Sequence, residues 1–217
     1  MPIAINGSGT VTGISVGGLP DGIVDADMLA ANAVTAGKLA TGVAGSWKKL
    51  STTTISSNVD NVTFTNSITD AFDTYKMYAI VFNQFRSTAD DYNFYIRIQE
   101  SGSTVSSGVY RWRVFSPDGN SNGQGDTQFR CNKDAVGNVT ASDNNEDVSG
   151  ILYFSGFSSS KRLRYRSEII FGTASADNNA DFSGGGVNNL NETTGVVFFP
   201  QNGDWNNGTA TLYGIAQ

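Results

Sequence analysis

The sequence predicts a mainly β protein: an antiparallel β-sandwich or jelly-roll-like domain preceded by an extended arm with short helical turns. Three observations lead there. After Trp47 the chain falls into about ten stretches in which apolar and polar residues alternate at period two, the spacing of half-buried strands. Twenty-five glycines and many Asn, Ser and Thr residues, against four prolines, supply turns between short strands. Before Trp47 the chain consists of small residues in a short repeat, with too little apolar surface for a core. The expected division is an arm over residues 1–46 and a sandwich tip over residues 47–217.

The arm opens with Pro2 to Ser15, small and β-branched residues interrupted by glycine, which suits an extended segment or an edge strand. Gly7, Gly9 and Gly13 miss the spacing of a phosphate-binding loop, and no lysine follows where one is required. Gly17 to Gly22 is a turn cluster. Two decapeptides then repeat, VDADMLAANA and VTAGKLATGV, matching Val24 with Val34, Ala26 with Ala36, Leu29 with Leu39 and Ala30 with Ala40. Asp25 and Thr35 cap runs too short to stand alone as helices. The expectation is that Val24, Leu29, Val34 and Leu39 face a threefold axis or a docking partner. Thr41 to Ser46 reads as a hinge.

The tip opens with strands over Leu50–Ser56 and Asn61–Asn66, then a strongly apolar strand over Lys76–Gln84. In Tyr92–Gln99, Tyr92, Phe94, Ile96 and Ile98 share one face. In Val109–Ser116, Tyr110, Trp112 and Val114 oppose Arg111, Arg113 and Phe115. Further strands are expected over Thr127–Cys131, Val148–Phe157, Arg162–Phe171, Gly195–Phe199 and Thr209–Ile215. Three polar stretches, Pro117–Asp126, Asn132–Asp147 and Gly172–Gly186, read as long loops at the tips of the sandwich.

Composition excludes several functions. With 14 basic and 20 acidic residues the net charge is −6, which argues against a general nucleic-acid binder. There is no histidine, so Ser-His-Asp and Cys-His catalysis and the usual zinc sites are ruled out. The lone Cys131 admits no intrachain disulfide. No run reaches transmembrane length and the N-terminus lacks a secretory signal, so the expectation is a soluble protein made in a cytoplasm, without membrane insertion. No carboxylate pair stands out at glycosidase spacing, and neither an enzyme nor a cofactor is expected.

The stretch TGISVGGLPDGIVDADMLAANAVTAGKLA resembles the lead segments of tailed-bacteriophage fibre proteins. The closing GTATLYGIAQ, with YKMYAIVF and SGILYFSGF in the middle, resembles their small β-sandwich tips. The resemblance implies a homotrimer in the virion, made in the host cytoplasm. Residues 1–46 would be anchored on other virion proteins of tail or capsid, and a distal domain would meet a host-surface polysaccharide. The chain is short for a main tail fibre and has no repetitive shaft. A capsid decoration protein or head fibre without a receptor therefore stays open beside a short tail fibre. A glycan-degrading tail spike is the third alternative, and its elongated β-helical body does not fit this length.

Within that frame, three groups are candidate sites. Arg162, Arg164 and Arg166 alternate with Leu163, Tyr165 and Ser167, and Arg111 and Arg113 share a face of their own strand. This pattern suits an anion-binding face, or an ordinary solvated face or arginines paired with a neighbouring subunit, since surface arginine on strands is common. Trp205 in QNGDWNNG offers a ring for sugar stacking with Asn202, Asp204 and Asn206 as hydrogen-bonding partners, or a core contact. Asp143–Asp147 and Asp177–Asp181 are dense in oxygen ligands, which suits calcium or plain turns.

Overall fold

A computed structural model describes residues 4–5, 11–12, 46–65, 75–117, 119–136, 147–157, 161–172, 178–189 and 191–215. The chain divides into two units, Met1–Gly45 and Ser46–Gln217. In the first, β1 (Ala4–Ile5) pairs antiparallel with β2 (Val11–Thr12), Ala4 opposite Thr12. The two decapeptides, with Val24, Leu29, Val34 and Leu39 and the expected helical turns, lie outside the described residues.

The second unit is all β. Its strands begin with β3 (Trp47–Ile55), β4 (Val62–Thr65), β5 (Met77–Ser87), β6 (Phe94–Glu100) and β7 (Ser103–Thr104). They continue with β8 (Tyr110–Ser116), β9 (Gly119–Asp126), β10 (Phe129–Arg130) and β11 (Val148–Ser155). The last four are β12 (Arg164–Gly172), β13 (Asn178–Val187), β14 (Thr193–Pro200) and β15 (Trp205–Ile215). The larger sheet has eight strands in the order β3-β15-β5-β11-β12-β13-β8-β9. The smaller runs β10-β6-β14-β4, with β7 also on β6. Every pairing is antiparallel. No helix among the described residues is long and apolar enough to cross a membrane.

The inward faces meet as the alternation requires. From β6, Phe94, Ile96 and Ile98 are fully buried, and from β8, Tyr110 and Val114. Phe82 of β5 stacks on Phe94 at 5.0 Å between ring centroids, and Phe85 meets Phe198 of β14 edge-on at 5.3 Å. These contacts join the two sheets into a sandwich. Tyr110 ties them again: its hydroxyl donates to the Val105 carbonyl at 2.7 Å and accepts from the Ile98 N–H at 3.0 Å. Burial pushes that phenol up to about 12, so it stays a neutral donor. The strand β5 is covered on both faces at Ala79 and opens again at Val81 on the outside.

Two of the polar stretches expected to be loops are strands. Gly119–Asp126 is β9, at one edge of the large sheet, and Asn178–Val187 is β13, deep inside it. Neither shows apolar alternation, because what lies beneath them is polar or already filled. The Trp112 indole donates to Asp126 Oδ2 at 2.9 Å, and a side chain at Gly123 would collide with it. Under β13, Ser183 meets Ser167 at 2.6 Å and donates to the Tyr165 hydroxyl at 3.2 Å, while Asp181 Oδ2 accepts from the Lys133 N–H at 2.6 Å. The buried Cys131 thiol, beside Ser183 and Ser167, is pushed up by that burial.

Asp181 is fully covered. Burial raises its carboxyl above the ordinary 3.8, and the Lys133 N–H and the Ser116 hydroxyl offset only part of this. The folded state therefore holds the proton more tightly than the unfolded chain. The resulting stability is fully present below pH 3.8 and is lost as pH rises through the higher folded value. Asp181→Asn should remove that loss, so its urea midpoint relative to wild type is expected to climb between pH 3.5 and pH 7. The same difference at both pH values would show that the Asp181 carboxyl does not set this slope.

Candidate functional site

The outward side chains of the large sheet form the candidate site. On β8, alternation sends Arg111, Arg113 and Phe115 out; on β12 it sends out Arg164, Arg166, Glu168 and Ile170. Between them lies β13, paired to both. Gly186 sits opposite Arg111 on one side and Arg164 on the other, and Gly184 opposite Arg113 and Arg166. Two arginine–glycine–arginine rows thus cross three strands. On the far side of β8, Asn122 and Gln124 of β9 stand opposite Arg113 and Arg111.

The glycines leave a trough of about 490 Å³, walled by Arg111 and Arg113 and rimmed by Asn122 and Gln124. A second hollow of about 350 Å³ lies toward β11 and β5, over Tyr153, Met77 and Ser155, with Arg164 and Arg166 along its side. Tyr153 belongs to an aromatic group, with Trp47 edge-on at 6.1 Å; Trp47 also meets Tyr213 at 5.6 Å. At the other end of the trough Phe182 and Phe115 sit opposite each other, 55% and 49% exposed.

Neutral groups hold the arginines in place. In the amide orientation that satisfies both groups, the Asn188 carbonyl accepts from Arg111 Nε at 2.7 Å and Nη2 at 3.2 Å. Arg113 lies 5.4 Å over the Phe115 ring, and Arg166 lies 4.3 Å over Tyr153. Among the described residues only Arg166 of these meets a carboxylate, Glu168 at 3.6 Å, and both side chains are well exposed. That ion pair is screened and leaves most of the positive charge of the face intact.

Arg162, Arg164 and Arg166 all point outward, as the alternation required, and Arg111 and Arg113 lie one strand beyond β13. The group around Trp205 is corrected. Trp205 opens β15 with no exposed surface, its Nε1 donates to the Phe198 carbonyl at 3.2 Å, and its ring packs on Phe85, Tyr92 and Phe94. Backbone pairing with Val59 draws it inward, and no ring face is left for a sugar. Asn202 and Asp204 serve the turn, through main-chain bonds to Ser87 and Thr88, and Asn206 is half-buried beside them.

Asp143 to Glu146 and Asp177 lie outside the described residues, and Asp181 faces inward from β13. Among the described residues no group of three or more Cys, Asp and Glu side chains is placed to hold a metal ion. Sequence reasoning passed over Gly184, Gly186, Asn188 and Tyr153. The signal for the glycines was a GGG run, Gly184–Gly186, at the end of the polar stretch that follows the strand of alternating arginines. Comparison with protein-family models, curated proteins and solved structures gave no match.

Proposed function

We propose that the chain is a non-enzymatic structural virion protein, a homotrimeric phage fibre whose sandwich binds an acidic host-surface polysaccharide. Residues 1–46 would dock it on a tail or capsid component. One observation supports the binding role above all: five of the eight arginines, Arg111, Arg113, Arg162, Arg164 and Arg166, point outward on one face of a chain with net charge −6. Long-range attraction brings the acidic polymer to that face, and guanidinium forks then hold its anionic oxygens. Contacts at one tip are weak, but three tips on one axis and many fibres on a particle raise the effective affinity.

Exposed Phe115, Phe182 and Ile170 on the same face favour a second reading, a decoration or head-fibre role in which this face packs on another virion protein. Leu29→Asp with Leu39→Asp tests the arm. The double variant is expected to run as a monomer by light scattering and to be missing from particles, while the melting of the tip is unchanged. Trimers that form and incorporate normally would end the arm reading. Host-cell adsorption by the full-length wild type separates attachment from decoration.

A further inference from the structure

We infer that the trough over Gly184 and Gly186 is the subsite for the anionic group of an acidic polysaccharide, with Arg111 and Arg113 as its charged wall. The inference rests on the attachment reading above and assigns its contact.

The arginines of this wall are preorganised. A flexible surface arginine loses rotamer freedom when it grips a ligand, which erodes affinity. Here the amide of Asn188 holds Arg111 by two hydrogen bonds, and the Phe115 ring supports Arg113. Neither partner carries charge, so the guanidiniums are oriented without being neutralised. Arg111 spends two N–H donors on Asn188, which leaves a fork free for a carboxylate or phosphate.

The trough also has room for a ligand. A Cβ built on Gly184 would meet only the Tyr165 carbonyl, at 3.4 Å, so the volume above it is open. The strands on either side of β13 stand about 10 Å apart, and successive outward residues on one strand about 7 Å apart. A saccharide chain lying over β13 would set its anionic groups beside Arg111 and Arg113. Asn122 and Gln124 on the rim supply neutral donors and acceptors suited to sugar hydroxyls. Beyond β12, the hollow beside Tyr153 continues this face, with Arg164 and Arg166 at its side.

Carboxylate and phosphodiester groups share the oxygen geometry that a guanidinium fork matches, and the experiment separates them. Full-length protein is titrated by affinity electrophoresis with polygalacturonate, with a poly(glycerol phosphate), and with neutral dextran. At least one acidic polymer is expected to bind and dextran is not, with binding weakening steeply as salt rises. Gly184→Asp, which sets a carboxylate beside Arg113, should weaken that binding by about tenfold or more. Its melting temperature should move by only about 2 °C. Arg111→Ala with Arg113→Ala should lose binding to a similar degree, whereas Arg97→Gln, on a strand of the other sheet, should not. Dextran binding as well as the acids, or Gly184→Asp and the double alanine variant binding like wild type, would overturn the trough assignment. If wild type binds neither acid yet still adsorbs to host cells, the subsite is wrong and the attachment reading stands. If it does neither, both fall.

Discussion

Trp205→Ala is expected to lower the stability of the sandwich by about 3–5 kcal/mol, the range for deleting a large buried aromatic. Trp205 has no exposed surface and bridges the sheets: Phe85 meets it edge-on at 5.1 Å, Tyr92 at 5.6 Å, and Phe94 lies at 5.7 Å. The substitution empties the space among those rings and takes the Nε1 donor away from the Phe198 carbonyl. Domains of this size are stable by only about 5–15 kcal/mol, so the variant loses a large share of its margin. Urea unfolding measures the loss through the midpoint. Trp205→Phe keeps most of the ring contact and should recover most of it. A Trp205→Ala protein that melts like wild type but fails to bind polysaccharide would return the residue to the surface role that its polar neighbours suggested.

The second large effect is expected at Gly185, and its neighbour is the control. A Cβ on Gly185 would stand 2.0 Å from the Arg111 carbonyl and 2.9 Å from the Trp112 Cα, both main-chain atoms that cannot swing aside. Gly185→Ala must therefore push β13 away from β8, at a cost of about 1–3 kcal/mol or more. Gly184→Ala points the other way, into open space. It should be neutral or stabilising by up to about 1 kcal/mol, since alanine restricts the unfolded chain. Thermal melting of the two variants checks the contrast. Equal melting temperatures would mean that β13 and β8 are not held as closely as their pairing indicates.

Much of this fold was legible because apolar contrast is local. Tyr92 to Ile98 and Tyr110 to Val114 declare their inward face within one strand, and Arg164 and Arg166 are placed outward by the buried Leu163, Tyr165 and Ile169 that alternate with the outward positions. The misses came where a strand's surroundings lie far away in sequence. Asp181 and Ser183 look like loop residues until Ser167, Tyr165 and Lys133 are set beneath them. Trp205 looks like a turn residue until Val59 and Ser87 pair with it from the other end of the tip. The candidate site was half legible for the same reason. Each row of arginines could be read from its own strand, but the glycine floor between them exists only once β13 joins β8 to β12.

Cys131 turns the sandwich into its own stopwatch. It is the sole thiol of the chain, lies fully buried, and its ionisation is suppressed by that burial. An alkylating reagent needs a solvated thiolate, so it can label the protein only during excursions in which the two sheets part. When reclosing outpaces the reagent, the labelling rate counts how often the interior is exposed, without denaturant or heat. Opening could be timed in this way in any assembly that contains the chain as readily as in the purified protein.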